Sequence, residues 1–202
     1  MFSVSVMTTD PDPGRGGGVG GGGDAACDWP GADEQGWGNM TLPVRPLGYH
    51  ELQGGDTMAN VHDVAAYILQ RCGPMTAMKL EKLVYYAQAW SLVWDEAPLF
   101  PERIEAWVNG PVVPALYDQH RGMFKIDSLP SGDPAALTAE QRETVDAVCE
   151  AYGKKSSQWL SDLTHLEGPW RDAREGLEPG DRGNREITIA ALAEYYGSLQ
   201  PA

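Results

Sequence analysis

AMKLEKLVYYAQAWSLVW, residues 77–94, is the stretch whose reading decides how this chain folds. Leu80, Leu83, Val84, Ala87, Trp90 and Trp94 recur at three- and four-residue intervals, the spacing of one helix face. Thr76 can cap the first turn with its hydroxyl. From Leu83 to Trp94 the helix is apolar nearly all round, broken only by Gln88 and Ser91. A helix without a polar face has to be surrounded, so this one belongs at the centre of the fold.

Working outward, Val61, Val64, Ala65, Ile68, Leu69 and Cys72 form one helix face upstream. Asn60 caps that helix, Asp63 favours its positive end, and Gly73-Pro74 stop it. Downstream, Ile104, Ala106 and Val108 alternate with Glu105, Trp107 and Asn109, which predicts a short strand. Gly110-Pro111 is expected to turn the chain, Pro114 to open a short helix through His120, and Phe124 to Ile126 to return as a second strand. Residues 130–134 read as a loop. Thr138 with Gln141 makes a capping box for a helix through Val145, Val148, Cys149 and Tyr152 that Gly153 ends. Ser157 opens another helix, Pro169-Trp170 starts a short one, residues 178–184 form a loop, and Thr188 caps the last helix. The expected fold class is mainly α: a compact multi-helix domain with a central apolar helix and one small β-hairpin.

Residues 1–57 have a different character. They hold 14 of the 24 glycines and eight acidic residues against Arg15 and Arg45, too little apolar surface to offset the entropy of ordering the backbone. The glycine run lacks the preceding strand and the Gly-Lys-Ser/Thr ending of a phosphate loop. The expectation is a disordered, glycine-rich acidic leader over 1–57, with Trp29, Trp37 and Tyr49 as short anchors, and a helical domain over 58–202. The change of text at Met58 also suggests that Met58 is the native start. A chain beginning at Met58 is therefore expected to melt at the same temperature as the full chain. A large loss of thermal stability on truncation would show that the leader packs on the domain.

The net charge of −14 repels nucleic acid and anionic membrane, whose phosphates need Lys and Arg for neutralisation. A basic protein partner is favoured instead. Cys27, Cys72 and Cys149 are an odd set with no pair close in sequence, and Cys72 and Cys149 fall on apolar faces as small hydrophobes. His50, His62 and His120 have no metal-ligand spacing, so no metal or cofactor is expected. No run of about 18 apolar residues is present to span a membrane. The bland reading is a reduced, soluble, cytoplasmic protein.

Lys79 and Lys82 sit at the start of the central helix beside Glu81, where a solvated charge or an ion pair is the ordinary role. Tyr85, Tyr86, Trp90 and Trp94 read as core. His165, with Asp162 and Glu167 near it in sequence, has the ingredients of a general base but no placed Ser or Cys nucleophile. It reads as a structural histidine tying a turn together, and no catalytic residue is assigned.

Three stretches carry a resemblance. Met75-Thr76, Lys79-Leu80, Lys82-Leu83, Tyr85-Tyr86-Ala87-Gln88 and Trp90 form the first. Leu99-Phe100, Glu105-Ala106-Trp107, Gly110-Pro111-Val112-Val113-Pro114 and Leu116-Tyr117 form the second. Leu163-Thr164-His165, Pro169-Trp170, Ala173-Arg174 and a helix from Ile187 to Tyr196 form the third. In this order they resemble the Panacea domain of SocA-like antitoxins, over about Met58 to Gly197. The resemblance implies a compact helical domain, without enzymatic activity, that neutralises a co-encoded protein toxin by direct binding. It also implies a role as adaptor delivering that toxin to a Clp-type protease. It marks Lys79, Lys82, Tyr85, Tyr86, Trp107, Gly110, Pro111, Val112, His165, Pro169, Trp170 and Arg174 as family-motif positions serving the fold or an interface. Two other readings stand beside it: an enzyme or small-ligand protein using His165, Glu105 and Lys79 in a cleft, and a phage-derived interaction protein without a toxin.

Overall fold

The computed structural model describes residues 58–199. The readings made for 1–57, including the anchors Trp29, Trp37 and Tyr49 as well as Cys27 and His50, lie outside the described residues. In chain order the elements are α1 (Val61–Cys72), β1 (Met75–Thr76), α2 (Ala77–Trp94), β2 (Ile104–Trp107), β3 (Gly110–Val112), α3 (Pro114–His120) and β4 (Lys125–Ile126). A 3-10 turn at Pro134–Ala136 leads to α4 (Ala139–Tyr152), α5 (Ser157–Leu166), α6 (Gly168–Ala173), β5 (Glu186–Ile187) and α7 (Ile189–Ser198). No helix among the described residues is long and apolar enough to cross a membrane.

The helix starts follow from capping chemistry. Asn60 accepts from the His62 and Asp63 amides while Asp63 returns a bond to the Asn60 amide, and Thr138 and Gln141 close the same reciprocal box on α4. Thr76, Ser156 and Thr188 cap α2, α5 and α7 with single side-chain bonds. α5 begins at Ser157, where the sequence opens it, with Ser156 as its cap.

α2 is the hub, packed by α1, α4, α5, α7 and β3. Every residue from Leu80 to Ser91 is buried. Its two polar interruptions are satisfied by one loop. Gln88 donates to the Phe100 carbonyl and accepts from the Leu99 and Phe100 amides, while Ser91 donates to Ala97. An unpaired polar group here would cost about 1–3 kcal/mol, so these bonds fix the path of residues 97–100.

The strands correct the expected hairpin. Its return arm is β3, reached through a two-residue turn at Val108–Asn109, so Gly110-Pro111 lies in a strand and does not make the turn. Residues 124–126 do not complete that hairpin. Lys125 and Ile126 instead pair with Thr76 and Met75 of β1. Ile187, expected in the last helix, belongs to β5, which pairs antiparallel with β2 on its other side and makes the order β3-β2-β5. Strands of two or three residues are too short for alternation to reveal their partners.

Candidate functional site

The three motif stretches meet on the β2–β3 hairpin. Four of its carbonyls are each taken by a side chain from a different part of the helical shell. Arg174, the residue ending α6, donates to Ala106 at 3.0 Å, and Trp170 of α6 donates its indole N–H to Trp107 at 2.8 Å. Ser161 of α5 donates to Asn109 at 2.9 Å, and Lys82 of α2 donates its ammonium to Pro111 at 2.9 Å. Arg174 also donates to Asp181 and lies 5.1 Å above the Trp170 ring, whose other neighbour is His165, stacked at 4.1 Å. A hairpin this short cannot satisfy its own edges, and the shell satisfies them instead.

Lys82 corrects the expectation of a solvated charge or ion pair. Its side chain is 1% exposed, covered by the hairpin, and burial lowers its pKa to about 8 against the opposing pull of Glu81. Gly110, at φ +102°, leaves the room that Lys82 occupies. A Cβ there would stand 2.6 Å from Lys82 Cε and 2.8 Å from Thr164 Oγ1. Glu81, beside it, accepts from the Val113 amide at 2.9 Å and contacts His120 Nε2 at 2.8 Å, which anchors the start of α3. Lys79 is half-buried and caps the end of α4 by donating to the Gly153 carbonyl.

Glu167 lies near His165 in sequence but is engaged elsewhere in the fold. It is not His165's partner. It turns inward among Tyr85, Tyr86, Tyr152 and Tyr196, accepting from Tyr196 Oη at 2.7 Å and Tyr86 Oη at 3.3 Å. Burial drives its pKa up to about 8, opposed by the Tyr196 and Tyr86 bonds. Tyr86 stacks on Tyr152 at 4.3 Å, and the Tyr85 and Tyr196 hydroxyls are 3.2 Å apart. No local pattern announces this cage. Glu167 looks like a carboxylate on a turn, and only the return of α7 brings Tyr196 over it.

The groups of the enzymatic reading are engaged separately. His165 has its pKa lowered by burial first and then by Lys82 and Arg174, with Asp162 opposing, and its Nε2 has no hydrogen-bond partner. Glu105 accepts from its neighbour Trp107 Nε1 at 2.8 Å and pairs with Arg103. Val112 and Pro169 are buried in β3 and at the start of α6.

Two grooves among the described residues bear on function. The larger, about 500 Å³, runs between α6, β5 and α7, with Asp172, Glu186, Glu194 and Tyr195 among its walls and no basic side chain. The smaller, about 300 Å³, lies between α1 and residues 127–134. Neither is lined by Lys79, Glu105 or His165.

No curated protein and no solved structure matches the chain. The family model described as antitoxin SocA-like, Panacea domain, matches residues 80–171, from the first buried turn of α2 into α6. That interval takes in the hairpin and three of the four side chains that hold its carbonyls, and over it the chain is similar to the SocA-like antitoxin, Panacea domain, family.

Proposed function

We propose that the chain works as an antitoxin by binding a protein toxin directly, with no catalytic step of its own, and that the groove between α6, β5 and α7 is the contact surface. The observation that carries this reading is the groove's chemistry. Asp172, Glu186 and Glu194 surround an apolar floor with the Tyr195 ring in its wall; Arg171, outside the lining, is bonded to Asp172, and Glu186 and Glu194 face the groove with no cation in its walls. Carboxylates around an aromatic anchor suit a partner with a basic surface, such as a toxin acting on nucleic acid or nucleotides. The motif residues Lys82, Trp170 and Arg174, by contrast, hold the hairpin to the helices and serve as scaffold. Handover of the bound toxin to a Clp-type protease is a second step in the same reading. Direct nucleic-acid binding is no part of it, because residues 58–202 keep a net charge of −8.

The test is surface plasmon resonance against the product of the neighbouring gene at low and high salt. Association is expected to slow several-fold at high salt, with dissociation changing less, since screening acts mainly on encounter. The double reversal Glu186→Lys with Glu194→Lys should slow association about tenfold or more. An association rate indifferent to both changes removes the groove. Absence of any binding removes the antitoxin reading for that pair.

A further inference from the structure

The end of α1 lies against the last turns of α4. Tyr67 and Arg71 both bond Asp146, at 3.2 and 2.8 Å, and one turn further along α4 Cys149 shares a hydrogen bond with Cys72. Gly153, whose amide donates to the Cys149 carbonyl at 2.8 Å, lies beside the Cys72 sulfur, since a Cβ on it would stand 3.4 Å from that atom. Neither thiol is in a disulfide. Read along the sequence, these two were separate hydrophobes; in the fold they are neighbours.

Their surroundings are unequal. Cys72 is half-buried, and the Cys149 hydrogen bond, then Lys79 and Arg71, lower its pKa against its own burial. Cys149 is 8% exposed, and its bond to Cys72 and its burial hold it well above the usual thiol range. Cys72 is therefore the more exposed and the more readily ionised thiol of the pair, and Cys149 is the one held protonated.

We propose that Cys72 and Cys149 form a peroxide-reactive dithiol that closes reversibly into a disulfide stapling α1 to α4. The Cys72 thiolate attacks one oxygen of a hydroperoxide, the O–O bond breaks, and hydroxide or alkoxide leaves after taking up a proton. Cys72 is then a sulfenic acid. The Cys149 sulfur attacks it, the S–S bond forms, and the sulfenic oxygen departs as water carrying the Cys149 proton. Two thiols are oxidised by two electrons and the hydroperoxide is reduced to water and an alcohol, or to two waters. A dithiol reductant reverses the step by exchange.

The experiment uses the reduced full chain and the full chain carrying C27S, treated with hydrogen peroxide, quenched, alkylated with N-ethylmaleimide and digested for mass spectrometry. The expected product is a peptide joining the Cys72 and Cys149 segments, lost on dithiothreitol treatment. The oxidised chain should melt roughly 5–10 °C above the reduced one, since the bond closes a long loop in the unfolded chain, and Cys149→Ala should abolish the difference. In Cys149→Ala, dimedone should trap a sulfenic acid at Cys72. The proposal is overturned if both thiols remain alkylatable after peroxide, or if Cys72 passes to a sulfinic acid with no cross-link. Should Cys149→Ala fail to fold, the cross-linked peptide from the unsubstituted chain still decides.

Discussion

Gly110→Val should leave almost no soluble protein, or a folded fraction destabilised by roughly 4 kcal/mol or more. Two costs add at this residue. The backbone sits at φ +102°, where a β-branched side chain is strained by about 1–3 kcal/mol. The new Cβ also meets Lys82 Cε at 2.6 Å and both Lys82 Nζ and Thr164 Oγ1 at 2.8 Å. Neither neighbour can step aside. Lys82 is enclosed and bonded to the Pro111 carbonyl, and Thr164 is buried with its hydroxyl bonded to Ser161. Overpacking of that kind costs a further 1–3 kcal/mol or so, and displacing Lys82 strands a buried ammonium. Gly122→Ala is the control. It shares a positive φ of +83° but has open space around it, so it should cost only about 1 kcal/mol. The measurement is soluble yield together with denaturant unfolding of whatever folds. If Gly110→Val unfolds within 1 kcal/mol of the unsubstituted chain yet loses its protein partner, the hairpin is interface and the scaffold reading of the motif is wrong.

The contrast between Gly110 and its neighbours shows what the sequence can and cannot reveal. Asn60, Thr76, Thr138 and Thr188 declare their helices because a cap is a local event, decided within four residues. The central place of α2 was legible for a similar reason, since its apolar circumference is written in its own residues. Strand pairing was not. β1 and β4 are two residues each, and the partner of either is set by where α3 delivers the chain. The burial of Glu81, Lys82 and Glu167 was equally hidden. A charged residue declares nothing about its cover, and the covers here are a hairpin some 30 residues away for Lys82 and the last helix for Glu167. The motif positions at Lys82, Trp170 and Arg174 could be named from the resemblance, but their shared task, holding carbonyls of β2 and β3, appears only in the fold.

The two inward charges should also give the domain an unusual pH profile, with stability passing through a minimum near pH 8. Glu167 binds its proton more tightly folded, at about 8, than unfolded, near the ordinary 4.5. Below the unfolded value both states are protonated and nothing is lost. Between the two values the folded state keeps a proton that the unfolded state has released, so stability falls as pH rises, and the loss is complete above about pH 8. Lys82 has the opposite shift, from 10.5 down to about 8. From about 8 to 10.5 the unfolded chain holds the proton that the folded chain has lost, so stability climbs with pH over that window. Each limb is worth a few kcal/mol at most, because burial of this depth is relieved by small movements. Glu167→Gln keeps an acceptor for Tyr196 and Tyr86 and removes the charge, so it should flatten the falling limb and make the domain more stable than the unsubstituted chain at pH 8. Lys82→Met keeps the buried stem, gives up the bond to Pro111, and should flatten the rising limb. Urea unfolding of all three proteins at pH 5, 6, 7, 8, 9 and 10 resolves the limbs separately. Parallel profiles for Glu167→Gln and the unsubstituted chain between pH 5 and 8 would mean that Glu167 is not held protonated inside the tyrosine cage.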